Sequence, residues 1–107
     1  MRLFTDEFRC PIPAVETARA VWKLIDKGAR GLFHVAGKER LSRWLIGQLL
    51  AERWPQLQPR NEPGSLKDYV GAPRSPDTSL DCRKAENLLG EPLPGLTEWL
   101  KNHPEPF

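Results

Sequence analysis

The sequence predicts an α/β fold, and the observations that lead to this class centre on residues 31–37. This short apolar run, Gly-Leu-Phe-His-Val-Ala-Gly, has a glycine at each end and the β-favouring Phe33 and Val35 inside, which is typical of a buried strand. Amphipathic helical patterns lie before and after it. Helix, strand and helix joined by tight turns indicate an α/β layer in which the strand is covered on both faces. One strand cannot form a sheet, so its neighbours are expected elsewhere in these residues or outside them.

The length and charge of the chain exclude several classes of function. With 107 residues it is one domain at most, and it buries only about two-thirds of its unfolded surface. The net charge is +2 and the basic residues are dispersed, which argues against nucleic-acid binding. No apolar run approaches membrane-spanning length, and the amino terminus has no basic-then-apolar leader pattern. We therefore expect a cytoplasmic protein that contacts neither nucleic acid nor membrane.

The cysteine pattern predicts no metal site. Cys10 and Cys82 are the only cysteines, and they lack metal-ligand spacing. Free thiols in a reducing cytosol are favoured over a disulfide between them.

The first predicted helix covers residues 14–27. An apolar stripe recurs along it at helical spacing, formed by Val15, Ala18, Trp22 and Ile25 and widened by Val21 and Leu24. A stripe of this kind normally faces the core of a domain, and burial is the usual reason for a tryptophan at such a position. We therefore expect Trp22 to be buried.

Three further helices are predicted from their ends. The boundaries are the N-cap Ser42 and Pro55 for the second helix, Asp81 and Gly90 for the third, and residues 96–101 for a short fourth. Residues 56–76, rich in proline, glycine and charge, are expected to form a loop with one or two short extended pieces. The tail, residues 102–107, is expected to fray.

One arginine stands out for its local context. Arg74 lies in the segment Ala-Pro-Arg-Ser-Pro-Asp-Thr-Ser-Leu-Asp at residues 72–81. The flanking prolines leave it little backbone freedom, which suits a two-pronged contact to phosphate or carboxylate. It also precedes a predicted helix start, where anions are favoured. The alternative is that Arg74 pairs with Asp77 or Asp81, and the sequence alone does not decide between the two.

Several motifs, in order and with matching spacing, resemble the carboxy-terminal part of dTDP-4-dehydrorhamnose reductases. The matches are residues 6–12 to the Asp-Gln-x-x-x-Pro-Thr segment, residues 31–37 to the Gly-x-Tyr-His-x-x-Gly strand, residues 41–44 to the Ser-x-aromatic helix start, residues 74–81 to the Arg-Pro-x-x-Ser-x-Leu-Asp box, and residues 84–90 and 97–100 to the continuation. Glu7 stands in place of the family's Gln, Ile12 in place of its Thr, and Ser75 separates the Arg-Pro pair. The resemblance is to the reductase and sugar-nucleotide epimerase branch of the extended short-chain dehydrogenases, and it covers nearly the whole chain.

The resemblance implies that residues 1–107 are a single partial domain, the substrate-binding portion of an NAD(P)-dependent oxidoreductase with a Rossmann-like fold. It implies about four helices, one or two core strands, and Arg74 as the contact to a sugar-nucleotide substrate. The family's glycine-rich cofactor turn and its Tyr-x-x-x-Lys pair are absent from the sequence, since Tyr69 is followed four residues later by Pro73. No catalytic or cofactor-binding residue is therefore assigned, and NAD(P)H would bind a complementary Rossmann-type half.

A function of another class stays open beside this one. The chain could be a non-catalytic interaction or regulatory module that docks on a partner through the open sheet edge at residues 31–35. A glycine-rich dinucleotide fold encoded directly upstream would favour the enzyme fragment, whether truncated or split, and an unrelated gene there would favour the free-standing module.

Overall fold

A computed structural model describes residues 1–104, and within them the chain is mixed α/β with four helices. The helices are α1 (Ala14–Asp26), α2 (Arg43–Arg53), α3 (Arg83–Leu89) and α4 (Leu96–Asn102). The strands are β1 (Arg2–Phe4), β2 (Phe8–Arg9), β3 (Leu41–Ser42) and β4 (Glu62–Gly64). The predicted α/β class and the four helices are confirmed. Of the tail, residues 105–107 lie outside the described residues.

The ends of α2 and the carboxy-terminal end of α3 follow the residues that predicted them. The Ser42 side chain accepts a hydrogen bond from the Leu45 backbone N–H at 3.1 Å, which satisfies one of the unpaired donors of the first turn of α2. The predicted cap of α3, Asp81, lies one residue before the actual N-cap Cys82, although its carboxylate accepts from the Arg83 N–H at 3.0 Å. Gly90 ends α3 with a φ of +74°, a conformation that glycine adopts at little cost.

The first nine residues form an extended scaffold that holds three distant parts of the chain. β1 pairs in parallel with β4, and β2 pairs antiparallel with β3. On its other side, Phe8 forms a β-bridge with residues 76–78. The Phe8 N–H donates to the Pro76 carbonyl at 2.7 Å, and the Thr78 N–H donates to the Phe8 carbonyl at 3.2 Å. The loop after α2, the start of α2 and the segment around Arg74 are thereby brought to one place.

The strand predicted at residues 31–37 is not formed, so this prediction is wrong for the described chain. A strand needs a neighbour that supplies backbone donors and acceptors, and none of the described strands lies beside this run. Isolated bonds hold it instead: the Gly37 N–H donates to the Cys10 carbonyl at 3.1 Å, and Lys84 Nζ donates to the Leu32 carbonyl at 2.8 Å. At Gly37 a Cβ would lie 1.7 Å from the Pro11 carbonyl oxygen, so only glycine fits.

The core lies between α1, residues 29–36 and the α3 region. Its buried members are Ala20, Leu24, Ala36, Cys82, Leu89 and Leu93, with Cys10, Ile12, Ala29, Phe33 and Val35 packed against them. Cys10 and Cys82 are both free thiols. The apolar run that was predicted as a strand therefore contributes to the core without strand pairing.

Most of the apolar stripe of α1 faces away from this core, contrary to expectation. Trp22 is 67 % exposed and Ile25 is 59 % exposed, whereas Ala20 and, within the stripe, Leu24 are buried. The described part of the chain therefore leaves Trp22 uncovered, and the prediction that Trp22 is buried is wrong.

We call this surface the α1 face and define it as Val15, Val21, Trp22, Ile25 and Leu32, all of them exposed. Leu32 joins it because Val21, Ile25 and Leu32 line one shallow depression. Contiguous exposed apolar surface is typical of an interaction site.

We expect the isolated chain to self-associate through the α1 face, because water exclusion from this surface favours association. Trp22→Lys should shift the chain toward monomer in sedimentation velocity over a range of concentrations. Val70→Lys is the matched control, since Val70 is 95 % exposed but lies on the loop after Tyr69. Equal association of Trp22→Lys and the parent chain would show that another surface is responsible.

Candidate functional site

The site is built around Glu7, which lies between β1 and β2 and is completely buried at 0 % exposure. Among residues 1–104 it is the one buried charged side chain. Its backbone is fixed as well, because its carbonyl accepts from the Arg43 N–H at 2.9 Å. A buried carboxylate is costly unless it is paired, so its partners decide what the site can do.

Three arginines surround this carboxylate. Arg74 binds it with two parallel hydrogen bonds, from Nε to Oε2 at 2.9 Å and from Nη2 to Oε1 at 3.1 Å. Arg43 Nε lies 2.7 Å from Oε1, and Arg9 Nη2 lies 3.1 Å from Oε2. We call Arg9, Arg43 and Arg74 around Glu7 the arginine cluster. The three side chains come from β2, from the first residue of α2 and from the 72–81 segment.

The cluster keeps an excess of positive charge. The hydrogen bonds from Arg74 lower the pKa of Glu7 below its ordinary value, against the opposing effect of burial, and the charges of Arg43 and Arg9 add to the lowering. Glu7 is therefore ionised at neutral pH, and arginine is always charged in proteins. Three guanidiniums and one carboxylate leave two positive charges. The arginine side chains are 25–44 % exposed, so this charge is accessible from solvent.

Two aromatic rings confine the Arg74 side chain. Its guanidinium carbon lies 5.6 Å from the ring centre of Phe4 and 5.5 Å from that of Tyr69. The two rings meet edge to face with centres 5.8 Å apart. Glu7 and then Tyr69 raise the pKa of Arg74. Cation–π contact of this kind holds a guanidinium in place while leaving its edges available for hydrogen bonds.

The carboxylates that the sequence offered as partners of Arg74 bind other arginines. Asp77 pairs with Arg40 at 2.8 Å, and Asp81 pairs with Arg83 at 2.6 Å. Hydrogen bonds from Ser79 and Arg40 lower the pKa of Asp77 to about 2. The pairing of Arg74 with Asp77 or Asp81 is thus not observed, and its partner is Glu7.

Asp6, next to Glu7, anchors the segment that carries Tyr69. Its carboxylate accepts from Ser65 Oγ at 2.7 Å and from the Leu66 N–H at 2.8 Å. These bonds hold the pKa of Asp6 below its ordinary value. They also begin a short 3₁₀ turn at Leu66–Asp68, and this turn places Tyr69 against Arg74.

An apolar cleft of about 300 Å³ opens beside the cluster, and Arg43 lies at its edge. It is formed by α2, by the start of the chain and by the loop after α2. Its lining residues are Met1, Leu3, Arg43, Ile46, Gly47, Leu50, Ala51, Trp54, Leu57, Pro59 and Asn61. This volume is at the lower end of the range typical of small-molecule sites.

The sequence predicted one member of this cluster and missed the others. Arg74 was singled out for its prolines, but Glu7 pointed to no partner, and Arg9 and Arg43 lie far from Arg74 along the chain. The available signal was Glu7 itself, an acid where the family carries a neutral glutamine. A charge in place of an amide at a site that becomes buried requires cationic partners.

Residues 1–104 contain no group of three or more His, Cys, Asp or Glu side chains placed to hold a metal ion. No helix in that range has the length and apolar character needed to cross a membrane.

The ionisation of Glu7 predicts how stability depends on pH. A carboxylate whose pKa is lowered by folding contributes its full stabilisation above its unfolded-state pKa, for glutamate about 4.5, and loses it as the pH falls toward the folded-state value. The free energy of unfolding, measured by urea titration, should therefore fall as the pH decreases below about 4.5. Glu7→Gln should flatten this dependence, and Glu52→Gln, at an exposed position on α2, should keep it. An unchanged slope in Glu7→Gln would assign the effect to other carboxylates.

Comparison with known proteins agrees with the features found in the chain. The family model described as the RmlD substrate binding domain matches residues 1–105, which confirms the resemblance to the substrate-binding part of dTDP-4-dehydrorhamnose reductases. No curated protein matches the chain. A match over nearly the whole sequence shows that this chain belongs to the RmlD substrate-binding domain family, a substrate-binding region of the sugar-nucleotide reductase type.

Proposed function

We propose that the chain is the sugar-nucleotide-binding portion of a dTDP-4-dehydrorhamnose reductase-like NAD(P)-dependent oxidoreductase, and that the arginine cluster holds the diphosphate of the substrate. The observation that carries this proposal is the cluster itself: three guanidiniums share one buried carboxylate and keep two positive charges at the surface. The diphosphate of a sugar nucleotide carries two negative charges, which matches this excess.

The geometry of Arg74 suits this role. A guanidinium presents several N–H groups in a planar fork that fits two phosphate oxygens at once, and an ammonium group does not reproduce this. Because Phe4, Tyr69 and Glu7 already confine the side chain, little of its conformational entropy remains to be lost when a ligand binds. The apolar cleft next to Arg43 offers a surface for an uncharged part of the same ligand.

The residues present do not fit the cofactor that the family uses. A dinucleotide site needs a strand, a glycine-rich turn and a helix in sequence, so that backbone N–H groups reach the pyrophosphate. None of the four helices described within residues 1–104 is preceded by a glycine-rich turn of this kind. We therefore assign no residue of this chain to NAD(P)H and derive no hydride-transfer step. In this proposal the chain is not catalytic alone, and a complementary Rossmann-type half supplies the cofactor.

The α1 face is the surface on which such a half would dock. Its exposed apolar side chains form the kind of surface that a second layer of a domain covers. The open sheet edge that the sequence offered for docking is not formed at residues 31–35. A non-catalytic interaction module remains the second candidate function, and the same α1 face favours it. The two differ in whether the arginine cluster binds a sugar nucleotide.

The test of the substrate site is the substitution of Arg74 in a chain fused behind, or mixed with, a matching cofactor-binding half. Arg74→Lys and Arg74→Ala should both raise the KM for the sugar nucleotide roughly ten- to a hundredfold, because each loses charge-assisted hydrogen bonds. Cofactor affinity should stay the same.

The matched controls are Arg83→Lys and Arg83→Ala, since Arg83 belongs to the same region but pairs with Asp81 at the surface. These controls should leave the KM unchanged. If the Arg74 variants lose folded protein while KM per folded molecule is constant, Arg74 serves only to neutralise Glu7, and the substrate assignment fails.

A second prediction concerns the cofactor. In the Arg74→Ala variant of the 107-residue chain, whose arginine cluster no longer offers Arg74 to a diphosphate, calorimetric titration with NADH and with NADPH should give no heat of binding at micromolar concentrations, because no glycine-rich turn is present to hold the pyrophosphate. Micromolar affinity for either nucleotide would contradict the assignment of the cofactor to another half.

A further inference from the structure

We propose that Glu7 is a positioning residue that orients Arg43 and Arg74 toward a diphosphate and thereby makes the site select a diphosphate over a single phosphate. This inference rests on the proposed function, since it assumes that the arginine cluster is the anion site. It adds a specific role for a residue that has no contact of its own to an anionic ligand.

The first support is that two guanidiniums meet at one atom. Glu7 Oε1 lies 2.7 Å from Arg43 Nε in an ion pair, and it accepts a hydrogen bond from Arg74 Nη2 at 3.1 Å. Arg43 comes from the start of α2 and Arg74 from the 72–81 segment, and the Glu7 carboxylate is the group to which both are bound. The carboxylate, held rigidly in a fully buried position, therefore sets the distance between the two cations.

The second support is which edge of each arginine Glu7 occupies. On Arg74 it takes Nε and Nη2, and on Arg43 it takes Nε. Both hydrogen bonds from Arg74 use Nε and Nη2, which leaves the edge at Nη1 on the other side of the guanidinium, and the Arg74 and Arg43 side chains are 35 % and 44 % exposed. A ligand thus meets two outward edges at a fixed spacing. A diphosphate can engage both, whereas a single phosphate engages one of them fully.

The third support is electrostatic. A negative charge beside an anion site repels the ligand, so by charge alone Glu7 weakens binding. The position is nevertheless occupied by a carboxylate that receives four hydrogen bonds or ion pairs from arginine. Positioning and simple charge thus predict opposite signs for the removal of the Glu7 charge, and an experiment can separate them.

The experiment is calorimetric titration of the 107-residue chain with inorganic pyrophosphate and with inorganic phosphate. Glu7→Gln removes the charge and leaves one oxygen acceptor, and Glu7→Asp keeps the charge but withdraws the carboxylate by about 1.5 Å. Both should weaken pyrophosphate binding by about tenfold or more and lower the ratio of pyrophosphate to phosphate affinity. Glu52→Gln makes the same change in net charge at an exposed position and should leave both affinities unchanged.

The outcomes separate this inference from the proposed function. If the parent chain does not bind pyrophosphate, both are overturned. If the parent chain binds and Arg74→Ala weakens binding, but Glu7→Gln binds as tightly or more tightly, the proposed function stands and the positioning role is overturned. Should Glu7→Gln fail to fold, as judged by circular dichroism, Glu7→Asp decides: an affinity ratio equal to that of the parent chain overturns the inference, and a lowered ratio per folded molecule supports it.

Discussion

The ion-pair network of Glu7 is the interaction on which the rest of the structure depends. A carboxylate at 0 % exposure is tolerated only because arginine donors replace the water that it loses. Those donors come from three separate parts of the chain, so the pairing also joins β2, α2 and the 72–81 segment. The same contacts that make burial of the charge acceptable thus assemble the surface on which the substrate is proposed to bind.

The short strands form no extended sheet among the described residues, but they position the residues of this ion-pair network. β2 has two residues, yet it pairs with β3 on one side and with residues 76–78 on the other. β1 pairs with β4, and the adjacent Asp6 then fixes the turn that precedes Tyr69. The two adjacent acidic residues therefore have different structural roles. Asp6 orders the loop after α2, and Glu7 binds the three arginines.

Features set by local sequence were predictable, and those set by distant partners were not. The ends of α2 and α3 follow from Ser42 and Gly90, because capping involves residues within one turn. The strand at residues 31–37 was predicted wrongly, because a strand exists only with a neighbour. Trp22 was expected in the core because a periodic stripe shows that a helix has an apolar face but not what covers it.

The site was predictable only in part for the same reason. Arg74 was identified from its prolines, but the residue that binds it lies 67 positions away, and no periodicity relates the two. The sequence suggested Asp77, Asp81 or a ligand as the partner of Arg74. Glu7 was not considered, because an acidic residue on an extended segment normally faces solvent. Burial of that residue depends on the complete fold.

Arg43 connects the two surfaces that would bind the charged part and the apolar part of one ligand. It belongs to the arginine cluster through Glu7 and to the apolar cleft through its place at the edge, and its N–H is also bonded to the Glu7 carbonyl. Groups that share one side chain do not contribute independently. The binding free energies of a phosphate fragment and an apolar fragment, measured separately, should therefore not sum to that of the joined molecule, and the difference is the coupling carried by the first residue of α2.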